Sequence, residues 1–186
     1  MRTNILPALR LTLVCLVAFS GIYTGIVYGM AQLVPESNQQ VKTAKGHYEN
    51  IAQKFQSDRY FWSRPSAVNY NAAGSGGSNK APSNAEYLKE VQQRIDTFLK
   101  HHPRVSREQI PSEIVTASGS GLDPHLSAEA ALIQVERVAE ARGLKTAQVR
   151  ELVLSQIEKP LLGLFGPEKV NVLKLNLNLD KLSASK

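Results

Sequence analysis

The sequence of 186 residues has one cysteine, Cys15, so the chain forms no intramolecular disulfide bond. It lacks the ligand spacings typical of zinc, iron or calcium sites, and it has no glycine-rich loop that ends in Gly-Lys-Ser or Gly-Lys-Thr for nucleotide phosphates. No run of basic residues indicates a nucleic-acid surface. These absences predict a domain that is stabilised by its core alone, without a metal or a cofactor of its own and without a catalytic site.

Charge is also missing from one long segment near the N-terminus. Residues 11–35 contain no Lys, Arg, Asp, Glu or His, and residues 11–34 would rise roughly 36 Å as an α-helix. The hydrocarbon core of a bilayer is about 30 Å thick, so this segment is long enough to span it with some tilt. No similar segment follows Glu36. We therefore predict one transmembrane helix at residues 11–34.

The charges that flank this segment predict its orientation. Arg2 and Arg10 precede it, and Glu36 is the first charge after it. By the positive-inside rule, residues 1–10 remain in the cytoplasm, the chain crosses once, and residues 35–186 form a domain on the far side. In a bacterium this is a periplasmic domain anchored in the inner membrane.

A cleaved signal peptide is the main alternative to an anchor. Arg10, the apolar residues after it, and the small residues Ala18 and Ser20 resemble such a signal. The uncharged stretch continues through Val34, well past the cleavage site that this pattern suggests. That continuation favours an anchor that is retained.

Three glycines recur at every fourth position of the predicted span: Gly21, Gly25 and Gly29. In a helix they lie on one face, where glycine allows a second membrane helix to approach closely. We predict that this face docks against another membrane helix, although glycine is common enough in membrane helices for chance to explain the pattern.

Apolar spacing beyond the anchor predicts both helices and strands. Three helices are expected, beginning after Asn84 or the serine before it, after Ser127, and at a cap formed by Thr146. Residues 114–116 are predicted as a short strand, and residues 170–179, where leucine alternates with Asn and Lys, as a strand with one β-bulge. The fold class is therefore α+β, with about three main helices packed on a small sheet.

Polar side chains concentrate in residues 118–127: Ser118, Ser120, Asp123 and His125. A hydrolase nucleophile elbow needs glycine two residues before and two after the serine, and Ser120 has Ser118 and Leu122 there. We expect a structural turn, with Asp123 bonded to backbone amides. A partner contact is the second interpretation, and a Ser-His-Asp hydrolase is the third.

An aromatic cluster at residues 60–62 contains Trp62, the one tryptophan of the chain, and Arg64 follows shortly after. We predict that the cluster forms a corner of the core, with a role for Trp62 and Arg64 in partner contact as the alternative. Farther along, His101 and His102 end a predicted helix, where a cationic ring would complement the helix dipole. Adjacent positions on a helix point apart, so these two histidines are not expected to share a metal.

Several blocks of the chain together resemble one family, the C chain of the bacterial potassium-transporting P-type ATPase, the Kdp complex. They follow in order over nearly the whole chain: the N-terminal anchor, Phe61-Trp-Ser-Arg-Pro-Ser66, Tyr70-Asn-Ala-Ala-Gly-Ser-Gly-Gly-Ser-Asn79, Pro82-Ser-Asn84, Val115-Thr-Ala-Ser-Gly-Ser-Gly-Leu-Asp-Pro-His125, Ala141-Arg-Gly-Leu144 and Val170-Asn-Val-Leu173. The run Ser-Gly-Ser-Gly-Leu-Asp-Pro-His is quite specific. The family often has glycine where Ser63 stands.

The resemblance implies a non-catalytic accessory subunit that stabilises the assembly and acts as a catalytic chaperone, raising the ATP affinity of the hydrolysing subunit. Its implied partners are a channel-like subunit that carries potassium, the P-type subunit that hydrolyses ATP, and a small single-span peptide. ATP and potassium would be handled by these partners.

The predicted topology places almost all of this chain opposite the cytoplasmic ATP. Coupling through the anchor is therefore easier to envisage than a direct nucleotide site, and the outer domain would serve as a lid or brace over the potassium entrance. Two other classes stay open, a free-standing anchored periplasmic binding protein and an anchored hydrolase that uses Ser120 and His125.

Overall fold

The structure, a computed structural model, describes residues 4–33 and 48–184. The chain divides into two compact units, Met1–Val41 and Lys42–Lys186. The predicted domain boundary at residue 35 lies outside the described residues, as does the last residue of the predicted span.

The N-terminal unit is one continuous helix, α1, over Ile5–Gln32, with a mean hydropathy of 2.1 in its most apolar window. It is α-helical over Ile5–Leu16 and Tyr23–Gln32 and π-helical over Val17–Ile22. The described helix begins six residues before the predicted span. It is long and apolar enough to cross a membrane, and none of that window is buried within the chain. A retained anchor and a signal sequence share these features, so the anchor stays a prediction.

The three glycines of α1 have open space beside them. Gly21 lies in the π-helical segment, and Gly25 and Gly29 lie in the α-helical segment after it. A Cβ atom built on any of the three meets no atom within 4 Å. Docking of this face against a second helix remains a prediction.

The second unit is a domain of helices and one small sheet, which confirms the α+β fold class. Its helices are α2 Ala85–His101, α3 Ser112–Val115, α4 Ala128–Leu132, α5 Val135–Arg142, α6 Thr146–Ser155 and α7 Val172–Ala184. Its strands are β1 His125–Leu126, β2 Ile157–Glu158 and β3 Lys169–Asn171. Strand β3 is central and pairs antiparallel with both β1 and β2, so that Val170 lies between Leu126 and Ile157.

Two helices begin at the caps that the sequence predicts. The Asn84 side chain accepts a hydrogen bond of 3.0 Å from the amide of Tyr87 at the start of α2. The Ser127 hydroxyl accepts one of 3.1 Å from the amide of Ala130 at the start of α4. Each cap satisfies a backbone N–H that has no partner inside the helix.

The next two helix boundaries differ from prediction. The helix expected after Ser127 is interrupted before Val135 and so becomes α4 and α5, and it ends at Gly143 in the left-handed conformation, with φ of 63°. The prediction that Thr146 caps the next helix is wrong, because Lys145 occupies the cap position in extended conformation and Thr146 is already helical.

The predicted strand at residues 114–116 is also wrong. Ile114 and Val115 are buried, as a strand would require, but they belong to the single helical turn α3. The Thr116 amide and hydroxyl both donate to the carbonyl of Ser112, at 2.9 Å and 2.7 Å, and so close that turn. Three β-branched residues favour a strand only weakly, and local tertiary contacts override that preference.

The predicted bulged strand at residues 170–179 is mostly helix, and no bulge is needed. Strand β3 ends at Asn171, whose side chain accepts a hydrogen bond of 3.0 Å from the amide of Lys174 and caps α7. The fully buried positions of α7 follow helical spacing: Val172, Leu175, Asn176 and Leu179. Burial of this helical face, rather than the alternation of leucines, decides the structure.

The core lies where α2, α5, α6 and α7 meet the sheet. Its members share nearly complete burial, and among them are Phe61, Phe98, Val138, Val153 and Leu175. Phe61 has no exposed surface, and Trp62 packs against the same cluster, so the aromatic segment does form part of the core.

The connection between β2 and β3 is different in character. Leu161 and Phe165 form an isolated β-bridge that closes a tight loop, with Leu162 and Leu164 between them. These four side chains are 70%, 63%, 81% and 82% exposed, in that order. We refer to residues 160–167 as the apolar loop.

Candidate functional site

Two glycine-rich segments, residues 63–79 and 117–125, pack against each other, and we call them the paired loops. The Gly76 amide donates to the carbonyl of Ser120 at 2.8 Å, and the Ser66 hydroxyl donates to the carbonyl of Gly121 at 2.6 Å. The two motifs that the sequence shows as separate blocks are therefore one structural unit.

Glycine is required where the paired loops touch. Gly121 has φ of 69°, and a Cβ there would lie 2.7 Å from the carbonyl oxygen of Gly76 and 2.8 Å from a methyl group of Val68. A Cβ on Gly77 would lie 3.0 Å from the carbonyl oxygen of Gly119. At these positions any side chain would push the two backbones apart.

The two serines of this segment are used within the loops. Ser118 is buried, and its amide donates to the carbonyl of Pro65 at 3.3 Å. Ser120 is exposed, and its hydroxyl accepts from the amide of Leu122 at 3.1 Å in a local turn. The carbonyl of Ser120 also accepts from the hydroxyl of Ser75 at 2.9 Å.

Charged groups join the same loops. An Arg64 guanidinium nitrogen lies 2.9 Å from an Asp123 carboxylate oxygen, with 22% and 31% of the two side chains exposed. The other carboxylate oxygen accepts from the His125 amide at 3.0 Å and lies 3.4 Å from Nδ1 of that ring. The His125 ring, followed by the His125 amide and the Arg64 charge, lowers the pKa of Asp123 against the opposing effect of burial, so this carboxylate is ionised at neutral pH.

The arrangement does not resemble a hydrolase site. Asp123 and His125 are in contact, but the Ser120 hydroxyl is engaged with a backbone amide, and among the described residues no hydrogen bond joins it to His125. Nor does the described part of the chain hold a group of three or more His, Cys, Asp or Glu residues that could bind a metal ion. The polar groups of the paired loops serve to hold the loops together.

A second set of polar side chains, buried around Trp62, is not predicted from the sequence. Arg137, whose side chain is 4% exposed, donates to the carbonyls of Asp58 at 2.7 Å and Tyr60 at 3.0 Å. Its Nε donates to Nε2 of His102 at 2.9 Å, and its guanidinium carbon lies 4.5 Å from the centre of the Trp62 ring. The arginine thereby fixes the chain that precedes Trp62.

His102 is neutral in this setting, contrary to the expectation of a cationic ring at the end of α2. Its Nδ1 donates to the carbonyl of Phe98 at 2.8 Å, which leaves Nε2 as the acceptor for Arg137. Burial, aided by the charge of Arg137, lowers the pKa of His102 to about 4. Burial also lowers the pKa of Arg137 to about 10, which leaves the guanidinium charged at neutral pH. His101 points elsewhere and contacts the carboxylate of Asp58 at 2.9 Å.

Two buried amide side chains complete the support of the aromatic segment. Gln134 accepts from the Trp62 amide at 2.8 Å. Asn176 accepts from the Phe61 amide at 2.9 Å and donates to the carbonyl of Phe61 at 3.0 Å. Helical spacing is the sequence signal that could have revealed these two buried amides. Gln134 lies three residues before Arg137 and so on the same helix face, and Asn176 shares a face with the buried leucines of α7.

A cleft of about 570 Å³ lies between α2 and the aromatic segment, with Trp62 and Phe98 among its walls. Its charged groups are already occupied within the chain. Arg94 donates to the carbonyl of Val115 at 3.0 Å and lies 3.6 Å from the carboxylate of Glu90. The geometry of the cleft therefore assigns no ligand to it.

Comparison with known proteins places this architecture in a family. A family model described as "KdpC: K+-transporting ATPase, c chain" matches residues 5–181, which include both α1 and the domain. The potassium-transporting ATPase KdpC subunit of Flavobacterium psychrophilum is 52% identical over 183 residues, covering 96% of this chain and 98% of that protein.

Similar agreement extends to other bacteria. The KdpC subunit of Phocaeicola vulgatus is 51% identical over 185 residues, with 96% of this chain and 98% of that protein covered. The KdpC subunit of Geobacter metallireducens is 42% identical over 189 aligned positions, with 97% and 98% covered. The resemblance drawn from the sequence blocks is thus confirmed, and this chain belongs to the KdpC family, the c chains of K+-transporting ATPases.

Proposed function

We propose that this chain is a non-catalytic accessory subunit of an ATP-driven potassium uptake complex, held in the bacterial inner membrane by α1 with the domain on the periplasmic side. The observation that carries the proposal is the family match over residues 5–181, which includes the apolar helix as well as the domain. The curated relatives are themselves named as subunits of a potassium-transporting ATPase.

The contacts of the domain support a bracing role. The polar side chains that the sequence singles out, such as Arg64, Ser120 and Asp123, are used within the paired loops, and the buried Arg137 and Gln134 fix the aromatic segment. A domain tied together in this way presents a fixed shape to its surroundings. Such a shape favours a structural role, as a brace or a lid beside the potassium entrance, over a catalytic role.

The partners that we propose are a channel-like potassium-translocating subunit, the P-type subunit that hydrolyses ATP, and a small single-span peptide. We place the main contact with them on the face of α1 that carries Gly21, Gly25 and Gly29. That face is open in this chain and allows close helix packing in a bilayer.

An effect on ATP affinity follows from such a contact without a nucleotide site in this chain. If α1 packs more favourably against the conformation of the complex that binds ATP, it raises ATP affinity by the ratio of its own affinities for the two conformations. The coupling is reciprocal, so ATP would also strengthen the association of this chain.

The test is to co-express this chain, tagged at its C-terminus, with the three other subunits and to purify it in detergent. We expect the other subunits to co-purify, ATP-dependent potassium uptake to require this chain, and the KM for ATP to rise when it is omitted. Purification as a lone monomer, or uptake that is independent of this chain, would contradict the proposal. An unchanged KM would remove only the effect on ATP affinity.

Orientation is tested by labelling single cysteines. In a Cys15→Ala background, the exposed residue Lys145 is replaced by cysteine, and Thr3→Cys serves as the cytoplasmic control. We expect a membrane-impermeant maleimide to label the Lys145→Cys variant in intact spheroplasts and the control after permeabilisation. The reverse pattern would place the domain in the cytoplasm.

A further inference from the structure

The apolar loop has a composition unlike that of the rest of the domain surface. Residues 160–167 read Pro-Leu-Leu-Gly-Leu-Phe-Gly-Pro and contain no polar side chain. Its four large side chains are each more than 60% exposed, although they lie next to one another in a single tight loop: Leu161, Leu162, Leu164 and Phe165. Contiguous exposed apolar side chains of this kind mark an interaction site.

The backbone of the loop bonds mainly to itself. The Gly163 amide donates to the carbonyl of Pro160 at 2.9 Å, and the Leu164 amide donates to that of Leu161 at 3.1 Å. The amides of Leu161 and Phe165 each donate to the other residue's carbonyl, at 3.1 Å and 3.0 Å. The prolines at its two ends have no amide hydrogen. Four of the six amides of residues 161–166 are therefore bonded within the loop, which lowers the cost of moving the loop out of water.

Charged residues stand directly outside the two prolines: Glu158, Lys159, Glu168 and Lys169. Lys169 lies 3.7 Å from the carboxylate of Glu158, so charge of both signs surrounds the base of the loop. In a bilayer surface, the apolar side chains of the loop would lie in the hydrocarbon and the charged residues at its base would lie among the headgroups. The charges set the depth at which insertion would stop.

The length of the connection to α1 allows the apolar loop to reach the bilayer. Residues 34–47 connect α1 to the domain and extend to at most roughly 50 Å. The domain then begins beside β3, because the Asn171 side chain donates to the carbonyl of Glu49 at 2.8 Å and Lys174 forms an ion pair with the Glu49 carboxylate. The apolar loop emerges from the other end of that same short strand.

From these observations we infer that the apolar loop inserts into the outer surface of the bilayer that holds α1, as a second, shallow membrane contact. The inference rests on the proposed function for the anchor and the side of the membrane. Lipid fits better than a protein pocket, because the loop offers apolar side chains without a polar side chain to fix a register with a protein partner. Two contacts would limit how the domain can turn over the membrane.

The test uses the full-length chain, with Cys15→Ala and Leu162→Cys, labelled with an environment-sensitive NBD fluorophore and reconstituted alone into vesicles of phosphatidylcholine and phosphatidylglycerol. Leu162 is 81% exposed, so its replacement removes little packing. Glu86→Cys, at an exposed position in the first turn of α2, is the matched control. We expect the Leu162 probe to shift to shorter wavelength and to be quenched by lipids that carry a spin label near the headgroup, whereas the control is not.

Three results would overturn the inference. If the NBD probe at position 162 emits at the same wavelength as the control probe, the loop lies in water. A shift that occurs only when the other subunits are present, without quenching by lipid, would assign the loop to a protein partner. A shift that grows with protein density in the vesicles, again without quenching, would assign it to a second copy of this chain. Failure of the chain to co-purify with its partners, with quenching intact, would instead contradict the proposed function alone.

Discussion

Two groups of glycines in this chain meet opposite surroundings. Gly77 and Gly121 lie in the paired loops, where a Cβ would come within 3.0 Å of a neighbouring backbone oxygen. Gly21, Gly25 and Gly29 lie on one helix, where a Cβ would meet no atom within 4 Å. The need for glycine in the loops is therefore explained within the chain. On the helix, no contact in the described part of the chain requires glycine, and docking of this face against a partner remains our prediction.

This difference separates residues that make the domain fold from residues that we expect to make the complex assemble. A substitution in the first group should change the stability of the isolated chain. A substitution in the second should leave that stability unchanged and alter association. The following predictions test this separation, beginning with the largest expected effect on stability.

Gly121→Ala should be the most destabilising of these changes. It places a Cβ in the left-handed region and 2.7 Å from the carbonyl oxygen of Gly76. We expect a loss of roughly 2–5 kcal/mol, since strain and steric overlap add. Urea unfolding of the purified chain measures the loss.

Gly143→Ala is the matched control for this change. Its φ of 63° is similar, but a Cβ there meets no atom within 4 Å. Only the backbone cost of about 1–2 kcal/mol should remain. Equal losses at the two positions would show that the close approach of the loops contributes nothing to stability.

Acid should destabilise the domain through His102. Its pKa is about 4 in the folded chain and 6.5 in the unfolded chain, so the unfolded state binds the proton first as the pH falls. The contribution of neutral His102 to the free energy of unfolding is therefore fully present above pH 6.5. It is lost as the pH falls from 6.5 to 4, by up to ~3 kcal/mol. Below pH 4 the histidine is protonated in both states, so the loss is complete and does not grow further.

His102→Gln isolates that contribution from the titration of carboxylates. Unfolding by urea at several pH values should give a smaller loss between pH 6.5 and 4 for the variant than for the natural chain. Parallel pH profiles for the two proteins would mean that His102 is not held neutral by its burial beside Arg137.

The ion pair between Arg64 and Asp123 should contribute less, because both side chains are partly exposed. A double-mutant cycle with Arg64→Ala and Asp123→Ala should give a coupling of about 1 kcal/mol. Arg104 and Glu136, 3.5 Å apart and more than half exposed, form the control pair, for which we expect almost no coupling. Equal couplings would contradict a structural role for Arg64 in the paired loops.

The sequence predicts well where local chemistry decides the structure. The side-chain caps Asn84 and Ser127 are set by neighbouring residues, and the structure has them as predicted. The C-terminal segment shows the limit of this reasoning. Its leucines alternate as in a strand, but the same positions also contain a helical face, and only packing against the core selects between the two.

Long-range pairing is the part of the site that the sequence could not show. Each glycine-rich segment is visible as a loop, but nothing in its composition indicates that Gly76 binds the carbonyl of Ser120. The sequence likewise gives no indication that Arg137 is buried. Only the structure shows that it donates to backbone carbonyls near Trp62. Such contacts join residues more than forty positions apart and arise only in the folded domain.

The smallest effect on domain stability is expected for the glycine face of α1. Replacing Gly21, Gly25 and Gly29 together with leucine should change the unfolding free energy of the domain by less than about 0.5 kcal/mol, because these residues belong to the other compact unit of the chain and a Cβ built on any of them meets no atom within 4 Å. The control replaces Ile22, Ile26 and Met30 with leucine, which keeps the number and spacing of the changes on a different face.

The central claim is that the glycine face of α1 joins this chain to its partners, and co-purification of the two triple variants with the other subunits tests it most directly. We predict that the variant with leucine at positions 21, 25 and 29 inserts into the membrane but brings down none of the other subunits, whereas the control brings them all down. Recovery of the complete complex with both variants would contradict the claim.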